Sequence, residues 1–354
     1  MLIQRTFIVD FLTALLKSDD INLIRLEINK LKELINNNEF AIMGTNLDDP
    51  DSIDISINYL IDELSQIHDT KTIERIKYYI NRLIKALTVV KTTKINDINL
   101  ARWKEYEEII TDSLWMIDRR DSSGAHNAGY WGNFIPQIPH QFLKRYTKKG
   151  DWVLDTFLGS GTTLIECQRL GRNGVGIELQ QSVADLAQAN IQRDNDIFTI
   201  PVKTEIVIGN SIELDYLTLL RKLEIESFQF VILHPPYWDI IKFSDDPEDL
   251  SNANSKEVFL SKMGTLAGKV FEVLERDRYC ALVIGDKYSS GEWIPLGFLT
   301  MQEFLNRGFT LKSIIIKNFD ETKGKINQKE LWRYRALAGG FYVFKHEYIF
   351  LFKK

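Results

Sequence analysis

Apolar residues recur at three- and four-residue steps through the first third of the chain. This spacing, typical of helices with one buried face, occurs in four segments: 21–35, 57–67, 73–90 and 98–117. The first twenty residues are mildly apolar but carry Arg5 and Asp10, which favours an amphipathic helix over a signal peptide. A turn-forming stretch, 44–51, separates the first helices from the rest. The pattern therefore predicts an α-helical domain over residues 1–120.

A different pattern begins after the polar, glycine-containing link 118–132. Short apolar runs of strand length now alternate with helical stretches. Strands are predicted at 152–155, 174–178, 205–208, 231–234, 281–285, 311–317 and 341–352. Helices are predicted at 162–171, 181–193 and 256–274. Such alternation is typical of the α/β class, so residues 121–354 are expected to form a second domain built on a parallel sheet.

A glycine turn joins the first of these strands to a helix. Gly159 and Gly161 follow the strand that ends at Asp155, and the helix begins at Thr162. Glycines allow the backbone to approach a ligand closely, and a helix start offers free N–H groups. The next strand ends in Glu178, whose carboxylate can accept hydrogen bonds from both hydroxyls of a ribose. This unit predicts a site for a nucleotide-like cofactor.

A later strand ends in the sequence His-Pro-Pro-Tyr-Trp, residues 234–238. The prolines stop the strand and stiffen the turn, because neither can donate to a neighbouring strand. The residues that follow are held at the carboxyl end of the sheet, where open α/β folds place their active sites. A polar acceptor, a free carbonyl and a flat ring suit the exocyclic amino group of a nucleobase. Pro-Pro-Tyr also occurs in ordinary turns.

Together these segments resemble the S-adenosylmethionine-dependent amino-methyltransferases of DNA, which form N6-methyladenine or N4-methylcytosine. The run VLDTFLGSGTT at 153–163 is similar to the family's cofactor loop, and residues 234–237 match its catalytic loop in three of four positions. Segments 131–139 and 346–354 resemble a further cofactor segment and the last strand. The resemblance covers about residues 126–354. It implies a Rossmann-like methyltransferase sheet with helices on both faces, preceded by the α-helical N-terminal domain.

The resemblance also implies roles for individual residues. The residues implied to hold S-adenosyl-L-methionine are Phe134, Asp155, Phe157, Gly159, Gly161, Thr162, Glu178 and Asn210. The catalytic loop comprises His234, Pro235, Pro236 and Tyr237. In it, the His234 side chain and the Pro235 carbonyl would accept hydrogen bonds from the target amino group. Tyr237 would stack on the flipped base, with Trp238 lining the base pocket.

Two positions depart from the family's pattern. The family places Asp, Asn or Ser where this chain has His234. A neutral imidazole can accept one hydrogen bond, whereas a protonated one cannot. His234 therefore fits a pH-sensitive acceptor, a changed substrate or a lost activity. Asn210 occupies a position that is often acidic in the family.

A basic and aromatic segment extends over 312–335. Its members are Lys312, Lys317, Lys323, Lys325, Lys329, Arg333 and Arg335, with Phe319, Trp332 and Tyr334 interleaved. Such a mixture suits phosphate contact and base stacking. The candidate nucleic-acid contacts are Lys323, Lys325, Lys329, Arg333 and Arg335. The alternative is a solvated loop that its aromatic residues merely anchor. In the link 118–132, His126, Asn127 and Tyr130 are candidates to face the cofactor or the base, with a simple connector as the alternative.

Composition narrows the class of protein. Of 354 residues, 44% are hydrophobic and 26% charged, as in ordinary globular proteins. No run reaches the roughly eighteen apolar residues of a membrane span, so we expect no membrane partner and a cytoplasmic location. The net charge of −5 argues against nonspecific coating of nucleic acid. Cys167 and Cys280 provide neither a disulfide framework nor a metal site, and neither lies beside a proline as C5-cytosine methylation would require.

The expected function is site-specific methylation of double-stranded DNA on the exocyclic amino group of a flipped base, in a restriction-modification or other DNA-modification context. Trp238 and the non-acidic residue 234 favour N4-cytosine slightly over N6-adenine. The alternatives are an RNA amino-methyltransferase and a non-catalytic, cofactor-binding subunit of a modification complex. The helical domain is expected to serve packing, dimerisation or target recognition. A second copy of the chain or a cognate restriction endonuclease is the expected protein partner.

Overall fold

The computed structural model describes residues 1–37, 49–126, 132–193, 201–319 and 329–354. The chain divides into two compact units. The helical unit comprises residues 1–94 and 98–108, and the sheet unit comprises 95–97 and 109–354. Residues 109–120, which the hydrophobic pattern assigned to the helical domain, cluster with the sheet unit. Among the described residues, every helix is too short or too polar to cross a bilayer.

The described residues of the helical unit form four α-helices and a short two-stranded sheet. The helices are α1 (Arg5–Leu15), α2 (Ile21–Asn36), α3 (Ile57–Asp69) and α4 (Ile73–Thr88). The strands, β1 (Leu2–Gln4) and β2 (Ser52–Asp54), pair antiparallel. Side chains of Asp20, Ser56 and Thr72 accept hydrogen bonds from backbone N–H groups at the starts of α2, α3 and α4. The predicted helices at 21–35, 57–67 and 73–90 are thus confirmed, whereas the first residues form a strand before α1.

The helix predicted over 98–117 is wrong. A short 3₁₀ helix spans Leu100–Glu105, and the chain then extends into strand β3 (Leu114–Trp115). Tertiary partners replace the helical hydrogen bonds here: the Ile110 N–H donates to Gln141 Oε1 at 2.8 Å, and the Ile110 carbonyl accepts from Arg145 at 2.9 Å. The Trp115 ring is buried in the core of the sheet unit. Burial of this large ring and the tertiary hydrogen bonds outweigh the helical spacing of the sequence.

The described residues of the sheet unit form one large sheet. Besides β3, its strands are β4 (Trp152–Asp155), β5 (Asn173–Glu178), β6 (Thr204–Ile208), β7 (Phe228–Leu233), β8 (Leu274–Ile284), β11 (Thr310–Asn318) and β12 (His346–Lys353). The strand order is β3, β11, β12, β8, β7, β4, β5, β6. Strands β4 to β8 run parallel to one another, whereas β12 lies antiparallel between β8 and β11.

Helices cover both faces of this sheet. They are α5 (Gln137–Tyr146), α6 (Thr162–Leu170), α7 (Gln181–Arg193), α8 (Tyr216–Leu223), α9 (Lys256–Val273) and α10 (Leu296–Asn306). A further helix, α11 (Lys329–Gly339), is mostly exposed. Alternate residues of β7 belong to two separate apolar clusters. Phe230 packs with Phe142 of α5, whereas Val231 packs with the cluster that contains Phe259 of α9. The predicted α/β, Rossmann-like sheet with helices on both faces is confirmed.

The strand predicted at 341–352 is wrong in its first part, because β12 begins only at His346. The preceding aromatic residues contact a hairpin formed by β9 (Lys287–Ser289) and β10 (Glu292–Ile294). Phe341 stacks on Tyr288 with ring centroids 4.3 Å apart, and Phe344 lies 4.2 Å from Trp293. These side chains pack against the hairpin instead of alternating across the large sheet. Helices α5, α8, α10 and α11 were not predicted from the sequence pattern.

Candidate active site

A cavity of about 900 Å³ lies at the carboxyl ends of the central parallel strands. Parallel strands present these ends at one edge, so motifs far apart in sequence meet there. The predicted site residues that line it are Phe134, Phe157, Gly159, Glu178, Asn210, His234, Pro235, Pro236 and Tyr237. The proposed cofactor residues and the catalytic loop, predicted from separate motifs, therefore share one cavity.

The glycine turn, residues 156–161, is shaped by backbone constraints. Gly161 has a φ of +91° and is the N-cap residue of α6. A Cβ at this position would lie 3.3 Å from the Ala187 Cβ, so both the conformation and the space favour glycine. The Gly159 N–H donates to Glu178 Oε2 at 3.0 Å. Glu178 therefore holds the turn while it lines the cavity, and burial raises the pKa of its carboxyl group.

Asp155 and Thr162 lie behind the glycine turn. Asp155 is buried and accepts hydrogen bonds from the Thr163 hydroxyl and from the Phe157 N–H. Burial raises the pKa of its carboxyl group to about 6. The Thr162 hydroxyl donates to Asn133 Oδ1 at 3.0 Å. Among the described residues, neither Asp155 nor Thr162 contributes to the cavity lining, so both support the turn from within.

Asn133 is a site residue that motif reading missed. Besides accepting from Thr162, its side-chain amide donates to the Ser160 hydroxyl at 2.5 Å. Asn133 also lines the cavity next to Phe134. Through these bonds the segment 132–135 is fastened to the glycine turn. Its position within segment 131–139, which resembles a cofactor segment of the family, was the sequence signal that could have identified it.

The catalytic loop, His234–Tyr237, follows directly after β7. His234 Nε2 lies 3.0 Å from the Tyr237 hydroxyl, which in turn donates to Glu347 Oε2 at 2.9 Å. Lys317 Nζ donates to the other carboxylate oxygen, Oε1, at 3.0 Å. The edge of the Phe134 ring packs against the His234 imidazole, with centroids 5.0 Å apart. A partly buried series of hydrogen bonds therefore runs from Lys317 through Glu347 and Tyr237 to His234.

The surroundings of the loop change its proton affinities. Burial, together with the positive charge of Lys317, lowers the pKa of His234 to about 4, although the charge of Glu347 opposes this. Burial and then Glu347 raise the pKa of Tyr237 well above its usual value. At neutral pH the His234 ring is therefore uncharged and Tyr237 keeps its proton.

Parts of the chain are similar in sequence to known proteins. The family described as DNA methylase matches residues 44–189. The type II methyltransferase M.MjaII of Methanocaldococcus jannaschii is 42% identical over 64 residues, 18% of this chain and 12% of that protein. M.MthZI of Methanothermobacter thermautotrophicus is 38% identical over 72 residues, 20% of this chain and 19% of that protein. Over these segments the chain is similar to DNA amino-methyltransferases.

The relatives are matched only in part. The aligned segments span less than a fifth of the length of these two type II methyltransferases. A tRNA (guanine(10)-N2)-dimethyltransferase of Methanocaldococcus jannaschii is 27% identical over 230 residues, 61% of this chain and 64% of that protein. Similarity therefore extends to proteins named for methylation of DNA and of RNA. Amino-methyltransferases of this family use S-adenosyl-L-methionine as methyl donor.

Asn210, the second departure from the family's pattern, is paired with a carboxylate. Its side-chain amide donates to Glu248 Oε2 at 3.2 Å, and both residues line the cavity. Its Oδ1 accepts from the Ile212 N–H, which fixes the orientation of the amide. An acid is thus present beside the position that is often acidic in the amino-methyltransferases. Sequence reasoning missed Glu248 because it lies outside any recognised motif.

Trp238 does not line the cavity among the described residues, contrary to the expectation for the base pocket. Its indole N–H donates to the Ala253 carbonyl at 2.9 Å, and Lys287 Nζ lies 4.1 Å from the ring centroid. The ring is thus engaged with neighbouring side and main chains rather than presented to a ligand. The cavity is instead bordered by aromatic residues that sequence reasoning did not assign to it: Phe243, Tyr288, Phe319, Trp332, Phe341, Tyr342 and Phe344.

The cations of the basic segment 312–335 lie in different environments. Lys323 and Lys325, together with the side chain of Lys329, lie outside the described residues. Arg333 and Arg335 are exposed on α11, where the Arg335 guanidinium lies 5.1 Å from the Trp332 ring centroid. Lys317 is buried in its ion pair with Glu347, so its assignment to a phosphate-binding surface is wrong.

The link before the site also differs from expectation. His126 is buried, and its Nε2 lies 2.6 Å from Glu166 Oε1, so it packs inside the unit rather than facing the cavity. Asn127 and Tyr130 lie outside the described residues. The described residues contain no group of three or more His, Cys, Asp or Glu side chains arranged to hold a metal ion.

Proposed function

We propose that this protein transfers a methyl group from S-adenosyl-L-methionine to the exocyclic amino group of a base flipped out of double-stranded DNA. The observation that carries the proposal is the shared cavity, which the glycine turn and Glu178 line together with His234 and Tyr237. Methyl donor and target amino group must meet in line at a short distance, and one cavity for both satisfies that need. The DNA methylase family match supports DNA as the substrate.

The residues present fit this cofactor. Gly159 lines the cavity and leaves room for close backbone approach, whereas Gly161 shapes the turn behind it. The carboxylate of Glu178 is positioned at the end of β5 to accept hydrogen bonds from ribose hydroxyls. Asn210 and Phe134 also line the cavity and would bind the remaining groups of the cofactor. When bound, S-adenosyl-L-methionine supplies a methyl group that is already activated on a sulfonium. The protein therefore needs little acid–base power and acts mainly by placement.

The catalytic loop would orient the target. A neutral His234 and the Pro235 carbonyl accept hydrogen bonds from the amino group, which turns the nitrogen lone pair out of conjugation with the ring. The Tyr237 ring is the stacking surface for the flipped base. The aromatic residues at the cavity border exclude water from the reacting atoms. Adenine N6 and cytosine N4 are both amino groups that this arrangement accepts.

The first experiment incubates the protein with labelled S-adenosylmethionine and unmethylated bacterial DNA, with RNA in parallel, and identifies the products by nucleoside mass spectrometry. We expect N6-methyladenine or N4-methylcytosine in DNA. Tyr237→Ala should abolish transfer while the cofactor still binds, because Tyr237 is assigned to the base and not to the cofactor. Methylation of RNA alone would instead support an RNA amino-methyltransferase, which the similarity to the tRNA enzyme favours. Cofactor binding without any methylated nucleoside would support a non-catalytic subunit.

We further propose a restriction-modification or other DNA-modification setting in the cytoplasm, with target recognition, packing or dimerisation assigned to the helical domain. Arg333 and Arg335 would contact DNA, together with Lys323, Lys325 and Lys329. Two measurements test this setting: sedimentation of the free protein, which reports a homodimer, and protection of methylated DNA from endonucleases of the same host.

A further inference from the structure

Two buried charges face each other across strands β11 and β12. Lys317 and Glu347 are register partners in this antiparallel pair, and only 6% and 9% of their surfaces are exposed. A buried carboxylate is costly unless both of its oxygens find donors. Here Oε1 accepts from Lys317 at 3.0 Å and Oε2 accepts from the Tyr237 hydroxyl at 2.9 Å. The ion pair therefore leaves Glu347 as a pure acceptor toward Tyr237.

The number of protons available sets the direction of the remaining hydrogen bond, between Tyr237 and His234. A tyrosine hydroxyl has one hydrogen, and Tyr237 donates it to Glu347. Toward His234 Nε2, 3.0 Å away, the hydroxyl oxygen can then only accept. His234 Nε2 must accordingly carry a proton, and because the ring is neutral, Nδ1 has none. The tautomer is assigned here from the hydrogen-bond network.

The unprotonated nitrogen, Nδ1, takes the place of the acceptor oxygen of an aspartate or asparagine. Nδ1 is bonded to Cγ, as is Oδ1 of an aspartate or asparagine, so its lone pair stands at the same covalent distance from the backbone. Nε2 is one bond further out. None of the described residues donates a hydrogen bond to His234 Nδ1, and His234 lines the cavity. The Nε2–H tautomer therefore offers an acceptor where the family's Asp or Asn would offer one.

We infer that Glu347, held by Lys317, is a positioning residue that fixes the tautomer of His234 through Tyr237 and so makes Nδ1 the acceptor for the target amino group. The inference rests on the proposed function, which it deepens by accounting for the histidine. Lys317 contributes by leaving the carboxylate only one oxygen for Tyr237. The opposite tautomer would present an N–H to the amino group and repel it.

Glu347→Gln tests the inference sharply. Lys317 still donates to the oxygen of the new amide, which turns the amide NH₂ toward Tyr237. The Tyr237 hydroxyl must then accept from the amide and donate to His234 Nε2. That reverses the tautomer and places the proton on Nδ1. We expect kcat for methyl transfer to fall on the order of 10- to 100-fold, with an unchanged Kd for S-adenosylmethionine.

A second background separates this effect from simple structural damage. In His234→Asn the acceptor is an oxygen that needs no tautomer, so adding Glu347→Gln should change the rate of that variant by less than about threefold. Equal losses in both backgrounds would overturn the inference, because they would show that Glu347 acts only through folding or packing. An unchanged rate in the His234 background would overturn it equally.

The tautomer itself can be observed without any activity. With ¹⁵N-labelled histidine, NMR should show a pyrrole-type signal for His234 Nε2 and a pyridine-type signal for Nδ1, assigned by their loss in His234→Asn. The two types should exchange in Glu347→Gln. A pyridine-type Nε2 in the unmodified protein would overturn the inference. The expected tautomer in a protein that methylates no nucleic acid would instead leave the role of Glu347 in fixing the tautomer standing, and would refute the proposed function together with the acceptor role of Nδ1.

Discussion

Gly285 lines the cavity, and replacing it offers a way to move the proposed base-stacking ring without changing any side chain assigned to the cofactor or the base. It follows directly after β8, and a Cβ added there would lie 2.9 Å from Tyr237 Cε2 and 3.1 Å from Cδ2. Carbon atoms in contact prefer separations of about 3.5–4.0 Å, so the ring must move by roughly 0.5 Å or more. We therefore expect Gly285→Ala to displace the Tyr237 ring while the chain still folds.

The size of the effect follows from the contacts of that ring. The Tyr237 hydroxyl lies 2.9 Å from Glu347 and 3.0 Å from His234, and a shift of about 0.5 Å brings one or both close to the limit of a hydrogen bond. Misplacement of reacting groups by about 1 Å can cost on the order of 10²-fold in rate. We expect kcat to fall about 10- to 100-fold. Overpacking should also destabilise the fold by about 1–3 kcal/mol.

The assay is single-turnover methyl transfer, with the Kd for S-adenosylmethionine and the free energy of unfolding measured on the same preparation. The matched control is Gly268→Ala in α9, whose Cβ would meet only the Arg307 side chain at 3.9 Å. It should keep the rate and gain about 0.5–1 kcal/mol of stability from the better helix former. A folded Gly285→Ala variant with an unchanged rate would show that the ring position does not matter to the reaction.

Three further predictions concern protonation, cofactor binding and thiol reactivity. Burial lowers the pKa of His234 to about 4, and the neutral ring is the acceptor. The rate of methyl transfer should therefore stay constant as the pH falls through 6.5 and be lost only near pH 4. A fall in rate near pH 6.5 that His234→Asn removes would contradict this prediction. Glu178→Gln keeps one acceptor oxygen but loses the negative charge, so the Kd for S-adenosylmethionine, measured by calorimetry, should rise by about tenfold. An unchanged Kd would show that Glu178 does not bind the cofactor. Cys167 and Cys280 are fully buried, and burial raises the pKa of both thiols. A thiol reagent should therefore label neither until the protein unfolds. Rapid labelling of the native protein would contradict the packing.

Sequence reasoning located the parts of the site that lie in contiguous motifs. Gly159, Glu178 and the loop from His234 to Tyr237 all follow predicted strands of a parallel sheet, and the sheet brings their ends to one cavity. Strand direction alone was sufficient for that, because all carboxyl ends of parallel strands lie at the same edge.

What the sequence could not show depends on pairing between distant residues. Lys317 resembled the other cations of a basic segment, and nothing local marks it as the register partner of Glu347. Register across an antiparallel pair is set by the whole sheet, not by either strand alone. The predicted helix at 98–117 is wrong for a similar reason, because Trp115 packs in a core that includes residues far along the chain, such as Phe230 and Ile349.

The position of β12 has a consequence for how the protein folds. It is inserted between β8 and β11, both of which precede it along the chain. Until β12 has been synthesised, β8 and β11 have no hydrogen-bonded connection to each other, whereas β4 to β7 already carry the glycine turn, Glu178 and the catalytic loop. Closure of the sheet by this late, non-local strand is a slow kind of step. It also delivers Glu347 to Tyr237, so a nascent chain would possess a nearly complete cofactor pocket before its histidine is set for reaction.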